Sequence, residues 1–517
     1  WAVAAMVLYV DLVTELLLRT EERRSSTGMG LDPGRRARLG QFFTPSRAAD
    51  LIASMPRLPV AGTLRVLDPG AGVGSLTAAL TARVLRESPG IGIELVAVEV
   101  DDPVCPALEA TLADCSAVAA AHGLPFTWTA LRGDLTEAGT GLARETGVLA
   151  APFDVVIMNP PYRKLARRSA ERLALAGEGV DCSNLYTAFL AVGVNALAAG
   201  GQLVAITPRS FANGPYFDEF RRFFLDRMAL DRVHVFESRS AVFADADVLQ
   251  ENIVFSATRS GKRGDVALSV SSHHSDEPST RAVPYASVVE PGDPQQFIRI
   301  VAGESDVAAS RVFAALPCTL AETGIEVSTG KVVDFRAREY LRDSPGHGTV
   351  PLIYPGNLRD GSVAWPLGIR KPQALASCEG TRKLLVPGER YVLVKRFSAK
   401  EERRRVVAAV YEGGDFGAGA VGFENHLNVF HCRGRGIGDG HVARGLCMWL
   451  NSTVVDKYFR TFSGHTQVNA TDLRSLRYPS RGQLAALGAA LGGGSWPDQE
   501  KLDSLVEIHV LRHNDPS

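Results

Sequence analysis

Asn159, Pro160, Pro161 and Tyr162 stand together directly after the apolar run FDVVIM. An amino group attached to an aromatic base is a poor nucleophile, because its lone pair is delocalised into the ring. Acceptors held beside it, here the side-chain oxygen of Asn159 and the backbone carbonyl of Pro160, favour the pyramidal geometry in which that lone pair attacks a methyl donor. Pro160 and Pro161 stiffen the loop and fix the directions of its carbonyls. Tyr162 offers a ring on which a base flipped out of a duplex can stack. The same four residues would also make a plain turn after a strand, so the rest of the chain has to decide between the two readings.

Two features upstream point to a nucleoside cofactor. Asp68-Pro69-Gly70-Ala71-Gly72-Val73-Gly74 joins the strand-like LRVL to the helix-like SLTAAL. Glycines at such a turn, Gly70 and Gly72 among them, permit positive φ and let a cofactor approach the backbone, while the helix N-terminus presents free N–H groups. Glu99 ends the next strand-like run, 25 residues after Gly74. A carboxylate there can accept both ribose hydroxyls of an adenosine. Asp134, in RGDL after TWTAL, is spaced to accept from the adenine amino group, although a turn aspartate is nearly as good a reading of it.

These residues need a scaffold, and the chain supplies one. From Leu64 to Phe255, short β-branched runs (LRVLD, IELVAVE, FDVVIMN, GGQLVAITP, LDRVHVFES, ENIVFSA) alternate with helical stretches (SLTAALTARVL, DPVCPALEATLADCSAVAAAHG, LYTAFLAVGVNALAAGG). That rhythm predicts βαβ units and a doubly wound α/β domain. The apolar opening Ala2 to Leu18, interrupted by Asp11 and Glu15, reads as an amphipathic helix. SGKRGD, SSHHSDEPST and EPGDPQQ, within 257–300, read as a linker. Beyond it the rhythm becomes irregular and glycine-rich, which predicts a separate domain of mixed α+β type.

Taken together, the motifs and their order resemble the NPPY-type, gamma-class adenine-specific DNA methyltransferases of restriction–modification systems. The resemblance is specific over residues 38–256 and looser over 320–480. It implies a Rossmann-like catalytic sheet with S-adenosylmethionine as cofactor, bound by Phe43, Thr44, Pro45, Asp68, Gly70, Gly72, Glu99, Asp134 and Asn159. Gly40-Gln41-Phe42-Phe43-Thr44-Pro45 is similar to the family's leading motif, whose backbone and threonine hold the methionine end. Asn159, Pro160, Pro161 and Tyr162 become the catalytic tetrapeptide. Phe243 falls where the family sandwiches the flipped base against the tyrosine, and NLYTAF at 184–189 falls beside the cofactor pocket. The implied domains are a helical segment at 1–37, the catalytic domain at 38–256, a connection at 257–310 and a target recognition domain at 311–517. Double-stranded DNA is the implied partner, beside a separate restriction endonuclease.

Charge agrees with that order. The whole chain has a formal net charge of −1, but residues 311–480 hold 24 Lys and Arg against 16 Asp and Glu. The basic balance therefore lies in the C-terminal half, where a grip on nucleic acid is useful. Amides and basic residues interleave in GFENHLNVFHCRGRG and SGHTQVNATDLRSLRYP. Asn425, His465, Gln467, Asn469 and Arg474 are the candidates there for contacts to DNA.

Composition excludes several alternatives. At 45% apolar and 22% charged residues, with no unbroken apolar run near the roughly 20 residues that span a bilayer, no membrane role is expected. The seven cysteines are scattered without zinc-ligand spacing, which predicts reduced thiols, a cytoplasmic, nucleoid-associated chain and no metal site. None sits in a loop after a strand with proline before it, as a thiolate attacking cytosine carbon-5 requires. Pro497-Asp498 lacks a following (D/E)xK, so any cleavage activity is expected in another protein. Glutamine side chains of proteins, RNA bases, or a specificity subunit without chemistry of its own remain the rival substrates and role.

Overall fold

The computed structural model describes residues 2–135, 151–169, 172–173, 176, 179–236, 252–271, 279–301, 303–398, 402–417, 419–463, 467–492 and 495–512. The chain forms two compact units: Trp1–Gly292 with Gln296–Ala302, and Asp293–Gln295 with Gly303–Ser517.

The first unit is built on a nine-stranded sheet of order β3-β2-β1-β4-β5-β7-β6-β8-β9. Its strands are β1 Gly62–Pro69, β2 Ile91–Glu99, β3 Phe126–Arg132, β4 Phe153–Met158, β5 Leu197–Pro208, β6 Met228–Phe236, β7 Asn252–Arg259, β8 Val266–Ser271 and β9 Ser279–Val283. β1 to β5 run parallel, and β7 is antiparallel to both β5 and β6. The chain steps outward from β1 to β3 and then returns to place β4 on the other side of β1. This reversal opens a crevice at the C-terminal ends of β1 and β4, where ligands of open α/β sheets bind. β4 is central, and five of its six residues are buried, which is why FDVVIM carries almost no polar side chain.

The helices α1 Ala2–Gly30, α2 Pro33–Leu39, α3 Ser46–Ala53, α4 Ser75–Glu87, α5 Cys105–Ala121, α6 Leu185–Ala196 and α7 Asp218–Arg227 belong to the same unit. α1 is tied to α5 by the Arg23–Asp114 ion pair at 2.6 Å, and its Val13 and Leu16 join the sheet's core. The expected strands and helices are present, but α6 is shorter than its apolar run suggests. Leu197 already begins β5, and Gly201 fits there because a Cβ would lie 2.8 Å from the Phe153 carbonyl oxygen.

The linker expected at 257–310 is corrected by the structure. Residues 257–259 complete β7, β8 pairs with β6, and β9 pairs with β8, so the sheet continues past the catalytic strands. SGKRGD is the turn that joins β7 to β8, the two strands that flank β6 in the sheet. The second unit starts its own helix, α8, at Glu304–Ala315, inside the segment expected to be connection.

The second unit combines two-, six- and five-stranded sheets with the helices α9 Gly440–Leu450, α10 Thr453–Phe462, α11 Ala470–Ser475, α12 Arg481–Ala490 and α13 Gln499–Val506. Tyr391, Tyr411 and Phe423 pack edge to face in one core, and Phe313 stacks on Tyr458 with centroids 3.8 Å apart. α9 and α12 touch backbone to backbone. A Cβ on Gly445 would collide with the Leu484 carbonyl oxygen, and one on Gly488 with that of His441. Gly445→Ala or Gly488→Ala is therefore expected to cost about 2–3 kcal/mol in a urea melt. A loss below about 0.5 kcal/mol would show that the helices do not meet so closely.

Candidate active site

The site grows from the turn after β1. Gly70 and Ala71 both donate their N–H groups to the Val98 carbonyl, at 2.8 and 2.9 Å, which bends the chain sharply away from the strand. Gly70, Gly72 and Gly74 take φ values of 80°, 57° and 86°. Side chains there would also strike neighbours, since a Cβ on Gly72 would lie 3.1 Å from the Phe43 ring and one on Gly70 3.2 Å from the Phe189 ring. The glycines therefore serve both the turn and the close approach of two aromatic rings.

Glu99 is almost wholly buried at the end of β2. Its Oε2 accepts the Gly72 N–H at 2.8 Å, and its Oε1 accepts those of Val100 and Asp101 at 2.9 and 2.8 Å. A carboxylate offers about four acceptor directions, so one on Oε2 is left for a ligand hydroxyl. Burial raises the Glu99 pKa, and the three N–H donors oppose the rise. Asp68 is perturbed in the same direction. Burial, with the negative charge of Glu99, lifts it to about 7 against a hydrogen bond from the Thr77 hydroxyl at 2.8 Å. Its Oδ1 is buried with no hydrogen-bond partner among the described residues.

The leading segment holds the tetrapeptide in place. α2 stops at Gly40, whose φ of 67° turns the chain into an extended run before α3. The Gly40 carbonyl accepts the Tyr162 N–H at 3.3 Å, and a Cβ on Gly40 would lie 3.0 Å from that nitrogen. Asn159 Nδ2 donates to the Phe42 carbonyl at 2.8 Å and to the Thr44 hydroxyl at 3.0 Å. Both amide protons are thus used, which fixes which end of the amide is oxygen. Oδ1 receives the Tyr162 hydroxyl at 3.2 Å, and that hydroxyl also lies 3.3 Å from the Ile206 carbonyl. The Tyr162 ring sits 5.9 Å from Phe42 and edge-on to Tyr186 at 6.1 Å. Burial and Tyr186 push its phenol far above the usual range, so it stays a donor.

These pieces line a cleft of about 630 Å³, counting its open mouth. Of the expected cofactor residues, Phe43, Thr44, Gly70, Gly72, Glu99 and Asn159 line it, and Pro161 of the tetrapeptide joins them. Pro45, Asp68 and Asp134 do not: Pro45 caps α3, and Asp68 is buried within β1. Phe243 lies outside the described residues. Gln41 and Phe189 also line the cleft and were not singled out in advance. Both stand inside segments that were, GQFFTP and NLYTAF. Both polar atoms of the Gln41 amide are buried without a partner among the described residues.

In the second unit the candidates for DNA contact divide. Asn469 caps α11, its amide donating to Asp472 at 3.2 Å, so its side chain has a structural task. Arg474 is exposed on α11, and Asn425 and Gln467 are half-buried. Asn425 and Gln467 meet the two residues that follow the strand Tyr391–Lys395: the Asn425 carbonyl accepts from Arg396, and Gln467 bridges to Phe397. His465 lies outside the described residues.

A glycine-turned cofactor cleft with a locked NPPY loop beside it, at the switch point of a Rossmann-like sheet, defines a methyltransferase. The family model described as Eco57I restriction-modification methylase matches residues 135–243. Type II methyltransferase M.PstI of Providencia stuartii is 39% identical over 500 residues, covering 96% of this chain and 97% of that protein. Type II methyltransferase M.BsuBI of Bacillus subtilis is 41% identical over 458 residues, covering 88% and 90%. The fold is shared with the Type IIL restriction-modification enzyme MmeI, solved in complex with DNA, at a TM-score of 0.54 and 11% identity over 100% of this chain and 76% of that one. The chain belongs to the type II DNA methyltransferases of restriction–modification systems.

Asp68 gives this site a signature in solution. A carboxyl whose folded pKa is raised stabilises the fold below its unfolded value of 3.8, and that contribution is lost as pH rises to about 7. The free protein should therefore lose melting temperature relative to Asp68→Asn between about pH 5 and pH 7 and level off above. Parallel profiles would show that Asp68 titrates as an ordinary surface acid.

Proposed function

We propose that this methyltransferase moves the methyl group of S-adenosylmethionine to the N6 amino group of adenine in a short duplex sequence, as the modification component of a restriction–modification system. The observation that carries the proposal is the Asn159 amide, held by Phe42 and Thr44 so that its oxygen is the atom free to accept at the edge of the cleft.

The residues present fit the cofactor. Glu99 keeps an acceptor for a ribose hydroxyl, the Gln41 amide offers unpartnered donors and an acceptor, and Gly70 and Gly72 keep the floor free of Cβ atoms. Phe43 and Phe189 supply apolar walls. When bound, S-adenosylmethionine supplies an electrophilic methyl group on a sulfonium.

The chain's own part is to bring up and polarise the nucleophile. Asn159 Oδ1 has a second lone pair beyond the one that meets Tyr162, and with the Pro160 carbonyl it accepts from the adenine amino group. The nitrogen lone pair would thereby be localised for attack on the methyl group that S-adenosylmethionine would supply when bound. No thiolate is needed, and none of the seven cysteines lines the cleft. Tyr162 acts twice, through its ring on the flipped base and through its hydroxyl on Asn159. A separate endonuclease and double-stranded DNA are the partners this role calls for.

The test is transfer of labelled methyl groups to duplex DNA, followed by hydrolysis to nucleosides. Label is expected in N6-methyladenine, with Asn159→Ala at least about 100-fold slower. Tyr162→Phe keeps the ring and loses one hydrogen bond, so kcat should fall about 3- to 10-fold with KM for DNA unchanged. Label in the cytosine amino group, or only in RNA or protein, would overturn the proposal.

A further inference from the structure

The turn Glu424-Asn425-His426 organises a surface of the second unit that the reading above leaves without a role. Asn425 N–H donates to the Val332 carbonyl at 2.8 Å, which brings in the segment from Lys331 to Arg338. Arg396 N–H donates to the His426 carbonyl at 2.8 Å, and Val468 N–H donates to the Arg396 carbonyl at 2.7 Å, bringing Gln467 alongside Phe397. Glu424 anchors the turn. Its carboxylate is 1% exposed, accepts the His426 N–H at 2.9 Å and meets the imidazole Nδ1 at 2.7 Å. Nε2 is then the remaining polar atom of a half-exposed ring.

Two features give this surface a chemistry. Phe335 and Phe397 are 76% and 43% exposed, unusual for phenylalanine, and Phe397 meets His426 edge-on at 4.9 Å. The charge beside them is unbalanced. Asp334 is taken up by Lys371 at 2.8 Å and by the Tyr354 hydroxyl at 3.1 Å, whereas Lys331, Arg336 and Arg338 form no ion pair among the described residues. An anchored imidazole with Phe397 against it, and a neighbouring segment that carries the exposed Phe335 with the Arg336 guanidinium 5.5 Å from its ring and cations outside any ion pair among the described residues, suit a polyanion whose flat bases are read at close range.

We propose that the Glu424–His426 turn reads base edges of the duplex that the methyltransferase modifies, a proposal that rests on the DNA reading above. His426 Nε2 hydrogen-bonds a base, Phe397 and Phe335 pack on bases or thymine methyl groups beside it, and Lys331, Arg336 and Arg338 hold phosphates.

Sequencing of methylated genomic DNA from cells expressing the full chain gives the wild-type motif. Purified variants are then titrated with a duplex carrying that motif and with a scrambled duplex. His426→Ala and Phe397→Ala should weaken binding to the motif duplex about 5- to 100-fold and relax the methylated motif at one or two positions, with cofactor affinity unchanged. His426→Gln, which keeps a hydrogen-bonding end, should retain more discrimination than His426→Ala. The combined variant Lys331→Gln, Arg336→Gln, Arg338→Gln should weaken both duplexes alike and reduce the salt slope by up to about 2.7. If His426→Ala does not fold, Phe397→Ala and the combined variant decide, because those side chains are exposed. Variants that keep the wild-type motif, affinity and salt slope overturn this surface. A wild type that neither binds nor methylates DNA overturns the methyltransferase reading instead.

Discussion

The hydrogen bonds from one side-chain amide set the terms for the catalytic half of this protein. Asn159 stands at the end of a buried strand, and its two amide protons go to the Phe42 carbonyl and the Thr44 hydroxyl. Were either acceptor missing, the amide could turn over and present N–H groups where the proposed function calls for an acceptor. The leading segment, more than a hundred residues earlier in the chain, thus fixes which way the Asn159 amide faces. Gly40 makes the approach possible, because its left-handed φ and lack of a Cβ let its backbone lie against that of Tyr162.

The same segment closes the cofactor cleft. Phe43 reaches over Gly72, Gly72 is bound to Glu99, and Glu99 ends the strand beside β1. The cleft and the Asn159 amide are therefore held by one connected framework built on the parallel sheet. The strand reversal between β1 and β4 supplies the opening, and the glycines keep it clear. Asp68, carried to a near-neutral pKa by burial behind this loop, is the cost of setting a charged ligand site on an apolar sheet.

Much of this was legible in the sequence because it rests on local pattern. The runs LRVLD, IELVAVE and FDVVIMN read as strands since burial on both faces favours runs of β-branched and other apolar residues, and the glycine turn and NPPY read as a candidate site from residue type together with their order along the chain. What was not legible depends on tertiary placement. VALSV lies within the connection expected at 257–310, since the run is short and flanked by turn residues, yet pairing with β6 makes it part of the sheet. Gln41 and Phe189 face the cleft only because of how their segments cross it. Asn469, a candidate for DNA contact, also donates its amide to Asp472 where a helix begins, a local partner that composition does not reveal.

The central claim is that Asn159 works by presenting a fixed oxygen, held there by the donors at the other end of its amide. Single-turnover methyl transfer by Asn159→Asp, with folding checked by melting temperature, tests it most directly. A carboxylate keeps the shape and the oxygen but loses both donors, setting charge against the Phe42 carbonyl. The account predicts a rate at least about 100-fold below wild type in a folded chain. A variant that transfers methyl groups at close to the wild-type rate would contradict it, because the held orientation of the amide would then be irrelevant to the chemistry.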